Sequence, residues 1–263
     1  MADLQFSSTA AANYDQVIGR LTRPFVPALL HAARLAPAQR VLDIATGTGL
    51  AAEAAAEAVG PAGHVAATDI SPAMIERARQ RLGRLPNVSF EIQDGQALTH
   101  PPESCDAVLC NMGLMYFPDP ARGLSEFRRV LRHGGRAAVS VSTTPERSLS
   151  NRVLAVIGRH VSAKAAEAAR MFSLGEEAHL CALFEAAGFV EVESRTETLR
   201  ATFPSFDAFF AGIEEGAGNS GQEYTALPEA LRRVVREQMR RELKDDGGPL
   251  EAEVEVRIAG GRR

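Results

Sequence analysis

From Arg40 to Val141 the sequence repeatedly switches period, with short apolar runs alternating with stretches of helical spacing. The runs are Arg40 to Ile44, His64 to Thr68, Val88 to Ile92, Asp106 to Cys110 and Ala137 to Val141. A run that is apolar at successive positions suits a strand covered on both faces, and strands separated by helices are joined in parallel by right-handed crossovers. The rhythm therefore predicts an α/β chain, doubly wound around a mostly parallel sheet.

The stretches between the runs carry their own boundary signals. Leu50 to Val59 is rich in strong helix formers and stops at Gly60-Pro61. Ser71 and Pro72 form an N-cap and first helical position for a helix ending at Gly83. Leu124, Phe127, Val130 and Leu131 recur at helical spacing across Ala121 to Leu131.

Beyond residue 143 the pattern loosens. Residues 144–172 read as helical with a polar, Ser- and Ala-rich surface texture, and Glu176 to Ala187 is a helix closed by Gly188. Strands are expected at Phe189 to Val192 and at 254–258, some sixty residues apart. That connection holds FPSFDAFFAGI and a charged helix from about Pro228 to Lys244. A connection so long is functional or disordered. Phe206, Phe209 and Phe210 favour a folded cap over the carboxyl edge of the sheet, with plain core packing as the alternative. The organisation expected is one domain over 1–263, with a cofactor core at 10–141 and helical, substrate-side insertions at 143–172 and 200–250.

Charge and cysteine usage exclude several classes of function. The 29 basic against 33 acidic side chains leave a net charge of −4, so nothing draws the chain to a polyanion and no nucleic-acid partner is expected. The start lacks the basic and apolar regions of a secretory leader, and no apolar run is long enough for an integral membrane segment, so a cytoplasmic location is expected. Three scattered cysteines are too few for a disulfide framework. Cys105 and Cys110, five positions apart on one strand, should face opposite ways roughly 16 Å apart. That separation argues against a shared metal.

The turn after the first run sets the chemistry. Gly47-Thr48-Gly49-Leu50-Ala51-Ala52 fits a nucleotide-binding glycine loop, and Asp69 follows at the spacing of a ribose-binding acid. Taken alone, this also suits an NAD(P)-dependent oxidoreductase. Asp43, four residues ahead of Gly47, tells against that reading, because a carboxylate there would repel a pyrophosphate. S-adenosylmethionine carries an adenosine without phosphate and an ammonium beside its sulfonium, and tolerates such an acid. Asp69 can accept from both ribose hydroxyls. Asp94, after the third run, can accept from an adenine amino group while Gly95 lets the backbone approach.

These residues resemble the class I S-adenosylmethionine-dependent methyltransferases, in particular the branch of ubiquinone and menaquinone C-methyltransferases. The resemblance covers about residues 10–141. It implies a seven-stranded sheet, S-adenosylmethionine as cofactor with S-adenosylhomocysteine as product, and a small-molecule acceptor. VLDIATGTG is similar to the family's D-x-G-x-G-x-G loop, with Ala45 in place of the first glycine and Thr46, Gly47 and Gly49 following. VAATDISPAM resembles the ribose segment, with Ile70 and Met74 against the adenine. FEIQDGQAL resembles the adenine segment and implies Asp94, Gly95 and Gln96 at the ring. Asn111 and Met112, in CDAVLCNMGLMYFPDP, would lie under the cofactor. ANYDQV resembles the N-terminal lid, with Tyr14 closing over the methionine end. LRHGGRAAVS resembles the family's L-K-P-G-G turn with His133 in place of proline, which implies that His133 is a turn residue and not a catalyst.

Methyl transfer from a sulfonium needs positioning first and a base only when the nucleophile must lose a proton. Tyr14, Asn111, Met115 and Tyr116 are candidates near the methyl, with His160, Glu214 and Tyr224 from the insertions. No catalytic residue is singled out. The stretch NMGLMYFPD lacks the N-P-P-Y pattern of enzymes that methylate DNA bases. An aromatic or quinone-like acceptor suits the Phe-bearing insertion, and carbon, oxygen and nitrogen all remain open as the methylated atom.

Overall fold

The structure, a computed structural model, describes residues 7–263. An N-terminal helical arm comprises α1 (Ser8–Tyr14), a π-helical turn (Asp15–Gly19), α2 (Arg20–Thr22) and α3 (Val26–Ala32). The alternating region follows as β1 (Arg40–Ile44), α4 (Leu50–Val59), β2 (His64–Asp69), α5 (Pro72–Leu82), β3 (Val88–Ile92), β4 (Cys105–Asn111), α6 (Pro120–Val130) and β5 (Leu131–Ser142). Then come α7 (Arg152–His160), α8 (Ser162–Arg170), α9 (Glu177–Ala186), β6 (Val190–Phe203), α10 (Phe206–Glu214), α11 (Gly218–Thr225), α12 (Glu229–Glu242) and β7 (Leu250–Arg262).

The seven strands form one sheet in the order β3-β2-β1-β4-β5-β7-β6, and β7 alone runs antiparallel to its neighbours. Alternation along β1 sends Val41 into one apolar cluster and Leu42 and Ile44 into the other, and β4 does the same with Ala107 and Val108. The sheet is thus buried on both faces, which is why its central strands read as continuous apolar runs. The helix starts follow the capping signals: Ser71 accepts from Met74 N–H with Pro72 next, and Asp119 accepts from Arg122 N–H. Among the described residues no helix is long and apolar enough to cross a membrane.

Several expectations need correction. Cys105 and Cys110 pack into the same cluster, because the register between β4 and β5 shifts between Cys105 and Ala107 and breaks the simple alternation. The HGG segment is no free turn: it forms an irregularity inside β5, with Gly134 at φ 79° and its N–H donating to Arg263 O. His133 is exposed there. Helix α7 buries Val153, Leu154, Val156 and Ile157, so residues 144–172 are only partly a surface element. Strands β6 and β7 are far longer than the sequence suggested, and β6 runs through Phe203, so the helical connection starts later than residue 200. Their outer positions carry Glu, Arg and Thr, which masks the alternation from which a strand is read.

Phe206, Phe209 and Phe210 are fully buried in the larger cluster, with Val17, Phe203, Tyr224 and Met239. They are core residues of the main body. The helices α10 to α12 are therefore continuous with the fold that carries the glycine loop.

Candidate functional site at the carboxyl edge of the sheet

The loop from β1 to α4 places Ala45, Gly47 and Gly49 in the left-handed region, at φ 54°, 57° and 87°. Glycine reaches this region without strain, so the alternate spacing of small residues is dictated by the backbone. Gly49 also clears Leu82, whose Cδ1 would lie 2.8 Å from an added Cβ. Gly47 differs, because a Cβ there would meet nothing within 4 Å. The space over Gly47 is open.

Asp43 is completely buried at the foot of this loop. Its Oδ2 accepts from Thr46 Oγ1 at 2.6 Å, while Oδ1 has no hydrogen-bond partner. Burial pushes its carboxyl up to about 7, against the lowering effect of the Thr46 hydrogen bond and of the nearby Ala52 N–H. Asp69, at the end of β2, accepts from Gly47 N–H and Ser71 N–H, each at 2.9 Å. Burial raises Asp69 to about 6. One carboxylate thus ties the glycine loop to the start of α5.

Ile70 is half-buried beside Asp69, and Met74 is buried on the first turn of α5. After β3, Asp94 Oδ1 accepts from Gln96 N–H at 2.9 Å, and a Cβ on Gly95 would lie 2.5 Å from Phe117 Cζ. Gln96 turns its carboxamide oxygen to Asp119 N–H at 2.8 Å, so its side chain braces the entry to α6. At the end of β4, Asn111 Oδ1 accepts from Ser140 Oγ at 2.8 Å, and Met112 sits at φ 54° with its N–H on Ser140.

The N-terminal arm is tied to the glycine loop and to α5 by a polar latch that sequence reasoning did not single out. Asp15 accepts from Thr48 Oγ1 at 2.7 Å and pairs with Arg81, whose guanidinium also reaches Thr48 O at 3.1 Å. Asn13 Nδ2 donates to Glu215 O at 2.7 Å. Burial, followed by the fields of Tyr116, Asp15 and Asp69, pushes the Tyr14 phenol upward. Tyr14 is therefore close enough to Asp69 and to Tyr116 to feel both. Tyr116 is raised by burial and by Glu167 of α8. Asn13 and Asp15 lie in the ANYDQV segment and Thr48 in the glycine loop, but no local pattern pairs them with one another or with Arg81. The π-helical turn at Asp15, a feature common at functional sites, marks the place.

Three candidates from the insertions lie elsewhere. His160 is exposed and bonded to Gln238, Glu214 pairs with Arg236 at 3.0 Å, and the buried Tyr224 hydroxyl donates to Arg232 O. Met115 is buried, its sulfur accepting from Ser142 N–H at 3.4 Å. Among the described residues no group of three or more His, Cys, Asp or Glu is placed to hold a metal ion.

Comparison with known proteins bears on what this edge holds. A methyltransferase-domain family model matches residues 41–135. Nocamycin O-methyltransferase of Saccharothrix syringae is 31% identical over 273 residues, which cover 96% of this chain and 95% of that protein. The ubiquinone/menaquinone biosynthesis C-methyltransferase of Teredinibacter turnerae is 31% identical, over 70% of this chain and 81% of its own length. Two relatives that are 38% identical over shorter stretches are much longer, and the chain spans 30% and 33% of them. In fold, the chain is similar to the Haemonchus contortus phosphoethanolamine N-methyltransferase 2 solved with S-adenosyl-L-methionine, with a TM-score of 0.63 at 18% identity, over 97% of this chain and 57% of that one.

Proposed function

Because the chain belongs to the class I S-adenosylmethionine-dependent methyltransferases, we propose that it methylates a small-molecule acceptor with an aromatic or quinone-like body. The observation that carries the reading is the buried Oδ1 of Asp43, which makes no hydrogen bond, on the strand that leads into the glycine loop. A buried polar atom left unpaired is costly and calls for a partner. The ammonium of the cofactor's methionine end, direct or through water, supplies one. A pyrophosphate would meet an uncompensated carboxylate at the same place, so the oxidoreductase alternative is dropped.

In this assignment Asp69 has lone pairs left for both ribose hydroxyls, and Ile70 and Met74 flank the adenine. Asp94 accepts from the adenine amino group, and Gln96 holds Asp94 in place through its N–H. Gly47 and Gly49 admit the backbone to the ligand, with Ala45 and Thr46 shaping the same turn. Asn111 and Met112 form the floor, and Tyr14 covers the methionine end. Bound S-adenosylmethionine supplies an activated methyl and leaves as neutral S-adenosylhomocysteine.

The protein's own part is alignment. In this reading Tyr14 and Tyr116 face the acceptor, with Met115 packed beneath them, and residues 143–172 and 200–250 supply the acceptor side, with 200–203 belonging to β6. Holding a nucleophile about 3 Å from the methyl and excluding water can lower the barrier by roughly 7 to 11 kcal/mol. None of these residues is assigned as a base, which is required only where the nucleophile must lose a proton in the step. The location expected from the sequence, cytoplasmic, belongs to the same reading, as does the absence of a nucleic-acid partner.

Calorimetric titration with S-adenosylhomocysteine and, separately, with NADH tests the reading. Micromolar binding of the first alone is expected, and binding of NADH instead would sink it.

A further inference from the structure

Helix α11 carries a side chain that the fold leaves without a partner. Asn219 is 3% exposed, and neither its Oδ1 nor its Nδ2 makes a hydrogen bond. A carboxamide buried in this way is rare in a folded protein, because it has lost water without replacement.

Its position on the helix explains where it points. Gly218 faces the N-terminal arm: a Cβ there would lie 2.9 Å from Ile18 Cγ1 and 3.4 Å from Tyr14 Cδ2. Gln222, four residues on, accepts from Ser7 N–H on the same side. Glu223 faces α8, pairing with Lys164 at 2.8 Å, and Lys164 also holds Glu167 at 3.2 Å. With about 3.6 residues per turn, Asn219 shares a stripe with Glu223 and borders the stripe of Gly218 and Gln222. It therefore stands where the arm bearing Tyr14 meets α8, whose Glu167 acts on Tyr116. In the methyltransferase reading above, this is the acceptor side of the cofactor edge.

We propose that Asn219 is the residue that selects the acceptor, pairing its N–H and C=O with an adjacent carbonyl and hydroxyl on a phenolic or enolic ring seated between Tyr14 and Tyr116. The proposal rests on the methyltransferase reading above and adds the substrate's recognition element. A carboxamide offers a donor and an acceptor side by side, which matches a hydroxy-carbonyl edge and leaves a lone hydroxyl half paired. Sites built to pair a polar group discriminate strongly against analogues that lack it. No charge faces the amide from its own stripe except Glu223, which Lys164 neutralises.

The test uses the full chain, S-adenosylmethionine and four probes: 2-hydroxyacetophenone and 1-hydroxy-2-acetonaphthone, with phenol and 1-naphthol as counterparts lacking the carbonyl. Release of S-adenosylhomocysteine is the readout, and S-adenosylhomocysteine affinity and thermal midpoint are measured in parallel. The wild type should favour the hydroxy-carbonyl probes about tenfold or more in kcat/KM, and Asn219→Leu should erase that preference. Cofactor affinity should hold within about twofold, and the thermal midpoint should not fall, because an unpaired amide gives way to an apolar group of similar size. A preference that survives Asn219→Leu, a lowered midpoint, or no turnover of the hydroxy-carbonyl probes by a wild type that binds S-adenosylhomocysteine would each overturn the role of Asn219. Failure of the wild type to bind S-adenosylhomocysteine would overturn the methyltransferase reading beneath it.

Discussion

The methyl group of Ala45 and the α-carbon of Gly113 are in mutual contact: a Cβ on Gly113 would lie 2.6 Å from Ala45 Cβ and 2.8 Å from Cys110 Sγ. Ala45 occupies a left-handed position where glycine would be unstrained, and the loop after β4 is glycine where that methyl arrives. The two positions belong to one packing unit joining β1 to β4.

Gly113→Ala should therefore destabilise the protein by about 1 to 3 kcal/mol through overpacking. Ala45→Gly should stabilise or be neutral, within about 1 kcal/mol, because relief of backbone strain opposes the looser unfolded chain. The double variant should recover part of the loss, with a coupling of about 0.5 kcal/mol or more. Denaturant unfolding of the four proteins measures this, and strict additivity would refute the contact.

Asp69→Asn should weaken S-adenosylhomocysteine binding by about 1.5 to 3 kcal/mol, the scale of hydrogen bonds to a charged group. The side chain keeps its size, so the Gly47 and Ser71 amides retain one oxygen acceptor between them. Calorimetry reports the change, and an unaltered dissociation constant would remove Asp69 from the ribose.

The free protein should lose stability as pH rises. Asp43 at about 7 and Asp69 at about 6 both titrate above their ordinary 3.8, so the folded chain binds more protons than the unfolded one between those limits. Stability contributed by the protonated forms is greatest at low pH and declines through the folded values, by on the order of 4 kcal/mol for Asp43 and about 3 kcal/mol for Asp69. Global acid effects on other carboxylates act oppositely, so Asp43→Asn is the control: its stability should vary less across about pH 5 to 8. Cofactor binding, which favours ionised carboxylates, should release protons near pH 6, measurable by calorimetry in buffers of different ionisation enthalpy.

Breaking the latch should speed exchange at the site. Arg81→Met leaves Asp15 bonded to Thr48 alone, so release of S-adenosylhomocysteine should accelerate several-fold while global stability changes by about 1 kcal/mol or less. Stopped-flow displacement would detect it, and an unchanged release rate would mean that the arm opens without parting Asp15 from Arg81.

Phe210→Ala should cost about 3 to 5 kcal/mol, because the ring is fully buried and packed against Phe206 and Tyr224. A single cooperative unfolding transition is expected to shift as a whole. A separate early transition would instead mark α10 to α12 as an independent cap.

The sequence by itself determined the alternating core, the helix starts and the three acids at successive strand ends. Each is a local instruction: a period, a cap or a turn that only small residues can make, as at Ser71 and Gly47. It could not determine the length of β6, whose exposed charged face hides its period, or the place of Phe206, Phe209 and Phe210, since a cap and a core have the same helical spacing. Tertiary structure alone decided that Asp15 meets Arg81, that Ala45 meets Gly113 and that Asn219 is left unpaired. Those relationships join segments far apart in the chain, and they depend on side-chain volume and hydrogen-bond count at closure, which no local pattern encodes.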